Sequence, residues 1–241
     1  MNILIFHPGT LSECFVASSI NKGLKKTYPE CKIFWVVDEN HQYVFEYSTN
    51  VAHVFGVNEF SEDVDSHIYD ICINFSPVPS ISMPIVAMDR RGFGFDQQVS
   101  KYYSCLYEDM SLQMNLFQIY FRVAQMSWRG EGYDINYYPK CKSKKNRVGL
   151  SIANANLRSF VNQQLDLEMS KLWVVPYKKN IFRRMDEINK CKTIITDDIS
   201  TLHAAVALKK YVYFLKTMPL GFQMEFFGNG KVYDVPSSYL R

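Results

Sequence analysis

No two cysteines in this chain stand in a C-x-x-C pair. The six cysteines, Cys14, Cys31, Cys72, Cys105, Cys141 and Cys191, are widely spaced. That excludes a zinc ribbon and a small disulfide framework, and it points to a reducing, cytoplasmic setting. No apolar run reaches the ~18 residues that a membrane-spanning helix needs. The apolar start, I-L-I-F at positions 3–6, is too short for a signal sequence and has no basic residues before it. Internal repeats and low-complexity tracts are absent. So are G-x-S-x-G and Walker patterns, and no His/Cys/carboxylate cluster has metal-ligand spacing. Excess charge is scarce too: 27 basic against 24 acidic residues leave +3, which permits an anionic partner without demanding one.

What remains describes a soluble globular protein. Hydrophobic residues make up 47% and charged residues 21% of the chain, enough for a sizeable core. A length of 241 residues suits one large or two small domains. Residues 2–6 read as a buried strand. A turn, H-P-G-T-L-S-E, follows and opens a helix that Thr10 or Ser12 can cap, with Phe15, Ile20 and Leu24 on its apolar face. Residues 32–37, 51–57, 70–75 and 85–88 read as further strands, and 41–47 as a second helix. The 76–84 stretch, rich in Pro and Ser, reads as a loop. The glycines of 89–96 suggest a loop or short strand beside Arg90 and Arg91. Residues 115–126 are a helix by the spacing of Leu116, Ile119, Tyr120 and Val123. Strands alternating with helices indicate a mostly parallel, doubly wound sheet.

Residues 129–147 break this pattern with Gly130, Gly132, Pro139 and a run of lysines, and a domain boundary is placed there. A second α/β unit then begins. It has strands at 147–152 and 172–175, a polar loop at 153–160 containing Arg158, and a helix at 180–191 with Ile181, Met185 and Ile188 on one face. Next, residues 193–215 read as strand, polar turn, helix, strand. Asp197 and Asp198 sit where the first of these strands ends. Ser200 or Thr201 can cap the helix, and Lys209 and Lys210 suit its C-terminal end. A polar turn at the carboxyl end of a parallel strand, opening a helix, is where open α/β sheets bind ligands, and free N–H groups there favour phosphate. The fold class is therefore α/β, with two Rossmann-like domains, 1–139 and 140–241, facing across a cleft.

Two stretches resemble a known family. I-L-I-F-H-P-G-T-L-S-E, followed by a helix, Y-P and a W-V-V-D strand, resembles the opening of the heptosyltransferase-like glycosyltransferases (glycosyltransferase family nine). D-I-S-T-L-H-A-A-V-A-L-K-K, at 198–210, is similar to that family's D-T-G-x-x-H-x-x-A-A-L-G-x-P signature. Between them, R-G-F-G-F-D and the following helix look like the end of its first domain. The resemblance implies a GT-B fold and inverting, metal-independent sugar transfer with no cofactor. It implies an acceptor site on the first domain and a nucleotide-sugar site on the second. The sequence departs from the family in four places. Glu13 stands where the family has aspartate, Ile199-Ser200 replace Thr-Gly, Leu157-Arg158-Ser159-Phe160 only echo K-R-W-P, and the second domain is short.

Inverting transfer needs a base for the acceptor hydroxyl, donors for the departing diphosphate, and alignment of the two substrates. Under the resemblance Glu13 is the base. Arg158, Asp198, His203 and the backbone of Ser200, Thr201 and Leu202 bind the donor. His7, Thr10, Arg90 and Arg91 contact the acceptor. Each has a plainer reading: a helix-start glutamate, a surface arginine, a capping aspartate, a packed histidine, a pair of solvated arginines. The donor is a nucleoside-diphosphate sugar. The acceptor is a cell-surface saccharide such as the lipopolysaccharide core, or a hydroxymethylated base of phage-type DNA, with the basic 140–147 linker bordering the cleft and holding phosphates. That linker can equally meet an anionic membrane surface. The other functional class is a non-catalytic nucleotide- or sugar-binding module.

Overall fold

Five parallel strands, β1 (Asn2–Phe6), β2 (Lys32–Val37), β3 (Val51–Gly56), β4 (Tyr69–Asn74) and β5 (Ala87–Gly92), form the first sheet in the order β3-β2-β1-β4-β5. In the computed structural model residues 1–63, 69–76, 87–92, 114–142, 144, 147–152, 156–165, 172–217 and 224–240 are described. The chain divides into two compact units, Met1–Asn136 and Tyr137–Leu220 with Met224–Arg241.

In the first unit, side chains alternate across the sheet. One face buries Leu4, Phe6, Val36, Phe55 and Cys72 with Phe60 of α3 (Val57–Asp63). The other carries Trp35, whose indole N–H donates to Asn21 at 2.9 Å. Two helices, α1 (Leu11–Ala17) and α2 (Ile20–Thr27), replace the single one expected after β1. The break falls at Ser18, whose hydroxyl donates to the Phe15 carbonyl at 2.7 Å and so competes with the helical ladder. The expected 41–47 helix is only a 3-10 turn, Gln42–Phe45. Strand β5 takes in Arg90 and Arg91, paired with Cys72 and Ile73 of β4. Arg91 is tolerated in a strand because its guanidinium folds back onto Asp89, two residues earlier on the same face, at 2.6 and 3.0 Å. Most of the 76–84 loop and residues 93–96 lie outside the described residues. The 115–126 helix is α4 (Leu116–Val123), closed at its start by a capping box between Asn115 and Gln118.

Residues 129–136, which lack apolar periodicity, are bound tightly to the first unit. Asp134 is 1% exposed. Its carboxylate accepts from Asn21 (3.0 Å), Asn50 (2.7 Å) and the Ser48 hydroxyl, and its N–H donates to Ser18 at 3.0 Å. Tyr133 packs on Phe15 and Phe117.

The second unit has strands β6 (Val148–Ser151), β7 (Trp173–Val174), β8 (Thr193–Thr196), β9 (Tyr211–Lys216) and β10 (Gly230–Asp234), all parallel, in the order β10-β9-β8-β6-β7. Its helices are α5 (Leu157–Leu165), α6 (Ile181–Asn189) and α7 (Ile199–Ala207). Leu150, Ile195 and Leu215 pack under Leu157, Phe160 and Val161. Arg158 thus lies in the first turn of a helix, because the apolar 157/160/161 spacing gives α5 a core face. Asp198, not Ser200 or Thr201, caps α7: its carboxylate reaches the Thr201 N–H at 2.8 Å. No helix among the described residues is long and apolar enough to cross a membrane.

Candidate functional site

Both sheets reverse strand order beside their first strand: between β1 and β4 in the first unit, between β6 and β8 in the second. Ligands of open α/β sheets bind at the carboxyl ends of strands at such a point, and each unit has polar groups there.

In the first unit the turn after β1 holds Gly9 between the side chains of His7 and Glu13. A β-carbon at Gly9 would lie 2.5 Å from His7 Cε1 and 2.9 Å from Glu13 Oε2, so a larger residue there would have to displace the His7 ring and the Glu13 carboxylate. Thr10 caps α1 and Glu13 completes the box: Glu13 Oε2 accepts from the Thr10 N–H at 2.7 Å and the Thr10 hydroxyl at 2.8 Å. His41, not singled out in the sequence, lies with Nδ1 3.1 Å from the Gly9 carbonyl oxygen. His7 is 4% exposed, its Nε2 is 3.1 Å from the Tyr120 hydroxyl, and its ring packs edge-on against Phe75 and Tyr120. It therefore supports the turn from inside rather than standing at its surface as an acceptor contact. Burial pushes its imidazole down to about 4, despite the nearby Glu13 carboxylate. The Cys14 thiol, raised by burial, bonds to the His7 and Gly9 carbonyls and stays protonated.

Arg91 is not brought to this turn. Besides Asp89, it donates to the Ala124 carbonyl at 3.2 Å. It lines a cavity of about 330 Å³ with Lys26, Tyr28, Arg129 and Glu131. The side chain of Arg90 is outside the described residues.

In the second unit a cavity of about 300 Å³ opens at the strand ends. Ser151 at the end of β6, Val174 and Val175 at the end of β7, and Asp198 after β8 line it together with Leu150, Ile152, Arg158 and Tyr177. The expected Arg158 and Asp198 therefore share one site. Asp198 Oδ2 accepts from the Thr201 N–H (2.8 Å), the Thr201 hydroxyl (2.6 Å) and Arg184 Nη1 (2.8 Å). The Leu202 N–H is bonded to the Asp198 carbonyl at 2.9 Å. The N–H groups of Thr201 and Leu202 are thus engaged within the helix start, leaving the first positions, Ile199 and Ser200, to meet an anion. His203 is 3% exposed inside α7, and burial pushes it to about 4 against the opposing pull of Asp198.

Arg184 and Tyr177 were missed in the sequence. The signal was present for Arg184, which falls on the face of Ile181, Met185 and Ile188, a position where a charge requires a partner.

The described residues of the basic stretch, 140–142, 144 and 147, do not line this cavity. Lys144 N–H bonds to the Lys190 carbonyl and Lys192 N–H to that of Arg147, so Lys144 and Arg147 lie at the amino ends of β6 and β8, opposite Ser151 and Asp198. The Arg147 guanidinium stacks on Trp173 at 4.5 Å. These bonds make it part of the second unit's frame.

The two buried histidines set an acid limit on stability. Both have folded values near 4 against ~6.5 in the unfolded chain. Below about 6.5 the unfolded state takes up protons that the native state refuses, so stability falls as pH drops from about 6.5 to 4. Each histidine accounts for up to about 3 kcal/mol of that loss. Urea midpoints should drop steeply through this window, and replacing His203 with Asn should flatten the second unit's share of the slope.

No protein-family model and no curated protein matches the sequence. Solved structures do match. A family 9 glycosyl transferase from Veillonella parvula matches with a TM-score of 0.68 at 14% identity, over 99% of this chain and 87% of that one. The E. coli heptosyltransferase WaaC with ADP-2-deoxy-2-fluoro heptose matches with a TM-score of 0.66 at 13% identity, over 98% of this chain and 94% of that one. The E. coli ADP-heptose lps heptosyltransferase II matches with a TM-score of 0.66 at 11% identity, over 98% and 91%. Identities this low speak to fold alone. The expected fold class is thereby met: over nearly its whole length, this chain has the two-sheet, GT-B type α/β fold of these glycosyltransferases.

Proposed function

We propose that this protein is a glycosyltransferase that moves a sugar from a nucleoside-diphosphate sugar to an acceptor hydroxyl, with inversion and without a catalytic metal. The observation that carries the reading is the second unit's cavity. It lies at the strand-order reversal and gathers an arginine, a capping aspartate and a helix start among apolar walls. Arg158 supplies charge-assisted hydrogen bonds to a diphosphate, and the first N–H groups of α7 add the positive end of a helix. Structural neighbours of the same fold are crystallised with ADP and with an ADP-heptose analogue, which supports a nucleotide-sugar donor.

Glu13 is the proposed base. As its carboxylate takes the proton of the acceptor hydroxyl, that oxygen bonds to the anomeric carbon from the side opposite the diphosphate. The bond from the anomeric carbon to the diphosphate oxygen breaks, and the electron pair leaves with the nucleoside diphosphate. Attack from the opposite side inverts the anomeric centre. The acceptor we favour is a saccharide hydroxyl, because Lys144 and Arg147 of the basic stretch that suggested DNA lie at the far end of the second sheet.

Calorimetric titration with ADP, GDP, UDP and CDP tests the donor site. The wild type should bind at least one of them, and Arg158→Ala should weaken that binding about tenfold or more, as expected for loss of a charged hydrogen bond. Unchanged binding in Arg158→Ala would remove the donor assignment.

A further inference from the structure

Arg184 has no place in the transfer step, yet it is built into the same site. Its guanidinium is buried, with the side chain 3% exposed. Nε donates to the Lys178 carbonyl at 3.0 Å. Nη1 donates to Asp198 Oδ2 at 2.8 Å and to the Thr201 hydroxyl at 3.3 Å. Its flat face lies 4.3 Å from the centre of the Tyr177 ring. Tyr177 is itself 75% exposed and lines the cavity together with Asp198 and Arg158.

The two walls come from different elements. Tyr177 lies on the loop between β7 and α6, and Asp198 and Thr201 form the start of α7. An exposed tyrosine on a loop is free to rotate, and a capping aspartate beside an anion site repels the anion. A single guanidinium answers both. Its edge donates to the carboxylate and hydroxyl, and its face attracts the ring. Other titratable groups near Asp198 are Arg158, which lines the same cavity, Asp197 beside it in the chain, and His203, which is neutral through burial.

We propose that Arg184 is a positioning residue of the nucleotide subsite. Without touching the ligand, it holds Tyr177 and Asp198 as two parts of the cavity lining and offsets the Asp198 charge beside the diphosphate. Tyr177 then presents a held aromatic face to the planar part of the ligand. The proposal rests on the donor-site reading above.

The test is a calorimetric double-mutant cycle on the full chain with ADP, GDP, UDP and CDP, using whichever binds the wild type most tightly. Arg184→Gln and Tyr177→Ala should each raise Kd about tenfold. The double variant should be no more than about threefold weaker than the worse single one, because the ring acts through the guanidinium. Arg184→Lys, which keeps the charge but not the fork, should recover part of the loss. A merely structural role would lower the melting temperature and the binding stoichiometry while leaving Kd unchanged.

A Kd for Arg184→Gln within twofold of wild type, or fully additive single effects, would overturn the proposal. Should Arg184→Gln fail to fold, Tyr177→Ala and Arg184→Lys carry the test alone, and wild-type Kd in both overturns it. If Arg158→Ala weakens binding while the Arg184 variants do not, the donor site stands and the positioning role falls. If the wild type binds none of the four nucleotides at millimolar concentration, both fall.

Discussion

Glu13→Gln is expected to reduce sugar transfer by about a hundred- to ten-thousandfold, the range that general-base catalysis contributes, while leaving the fold intact. This separation follows from the capping box. Glu13 Oε2 is occupied by two donors from Thr10, and a glutamine oxygen at the same position accepts both. Glutamine is an ordinary third residue for such a box, so α1 should start at the same place and the melting temperature should barely move. What disappears is the negative charge and the proton affinity. Nucleoside-diphosphate binding should also be unchanged, since the cavity proposed for the donor belongs to the second unit. Turnover and melting measured on one preparation check this. Full turnover in the folded variant would remove Glu13 as the base.

Asp134→Ala should cost the first unit about 4 kcal/mol. The carboxylate accepts from Asn21, Asn50 and Ser48, and deletion leaves three donors short of their acceptor at roughly 1–3 kcal/mol each. Against a typical total of about 5–15 kcal/mol, that brings the unit close to unfolding at ambient temperature. Asp134→Asn should cost less, because one oxygen still accepts, though its new N–H₂ group faces donors. Trp35 is a built-in reporter, since its indole donates to Asn21 within the same network. A urea midpoint for Asp134→Ala equivalent to less than about 1 kcal/mol of loss would contradict this picture.

The strands were the legible part of the sequence. A buried parallel strand must be apolar on both faces, so I-L-I-F, K-I-F-W-V-V and T-I-I-T stand out without any partner being known. Helix starts were nearly as legible at Thr10, Asn115 and Asn180, where a short polar side chain precedes an apolar period. Some misreadings come from polar side chains satisfied by residues distant in sequence. Asp134 and Asn21 are 113 positions apart, and no periodicity links them, so 129–136 looked like a linker. Arg91, on a stretch that reads as a loop or short strand, reads as an acceptor contact or a solvated arginine because one of its partners, the Ala124 carbonyl, comes near only once β5 and α4 are folded. Asp198 reads as a ligand-site residue or a cap, and it is a cap that also lines the cavity. Arg184 was the recoverable miss. A charge at 184, on the apolar face of 181, 185 and 188, signals a buried partner, although its identity required the fold.

The most direct measurement of the proposed function is release of nucleoside diphosphate from a panel of nucleotide sugars, in the presence of EDTA. Truncated lipopolysaccharide and hydroxymethylated DNA serve as acceptors in separate arms. Sugar transfer to a saccharide hydroxyl, with the anomeric configuration inverted by proton NMR and lost in Glu13→Gln, is the predicted result. Nucleotide binding with no release from any donor in either arm would contradict it, and would make the protein a binding module built on a transferase fold.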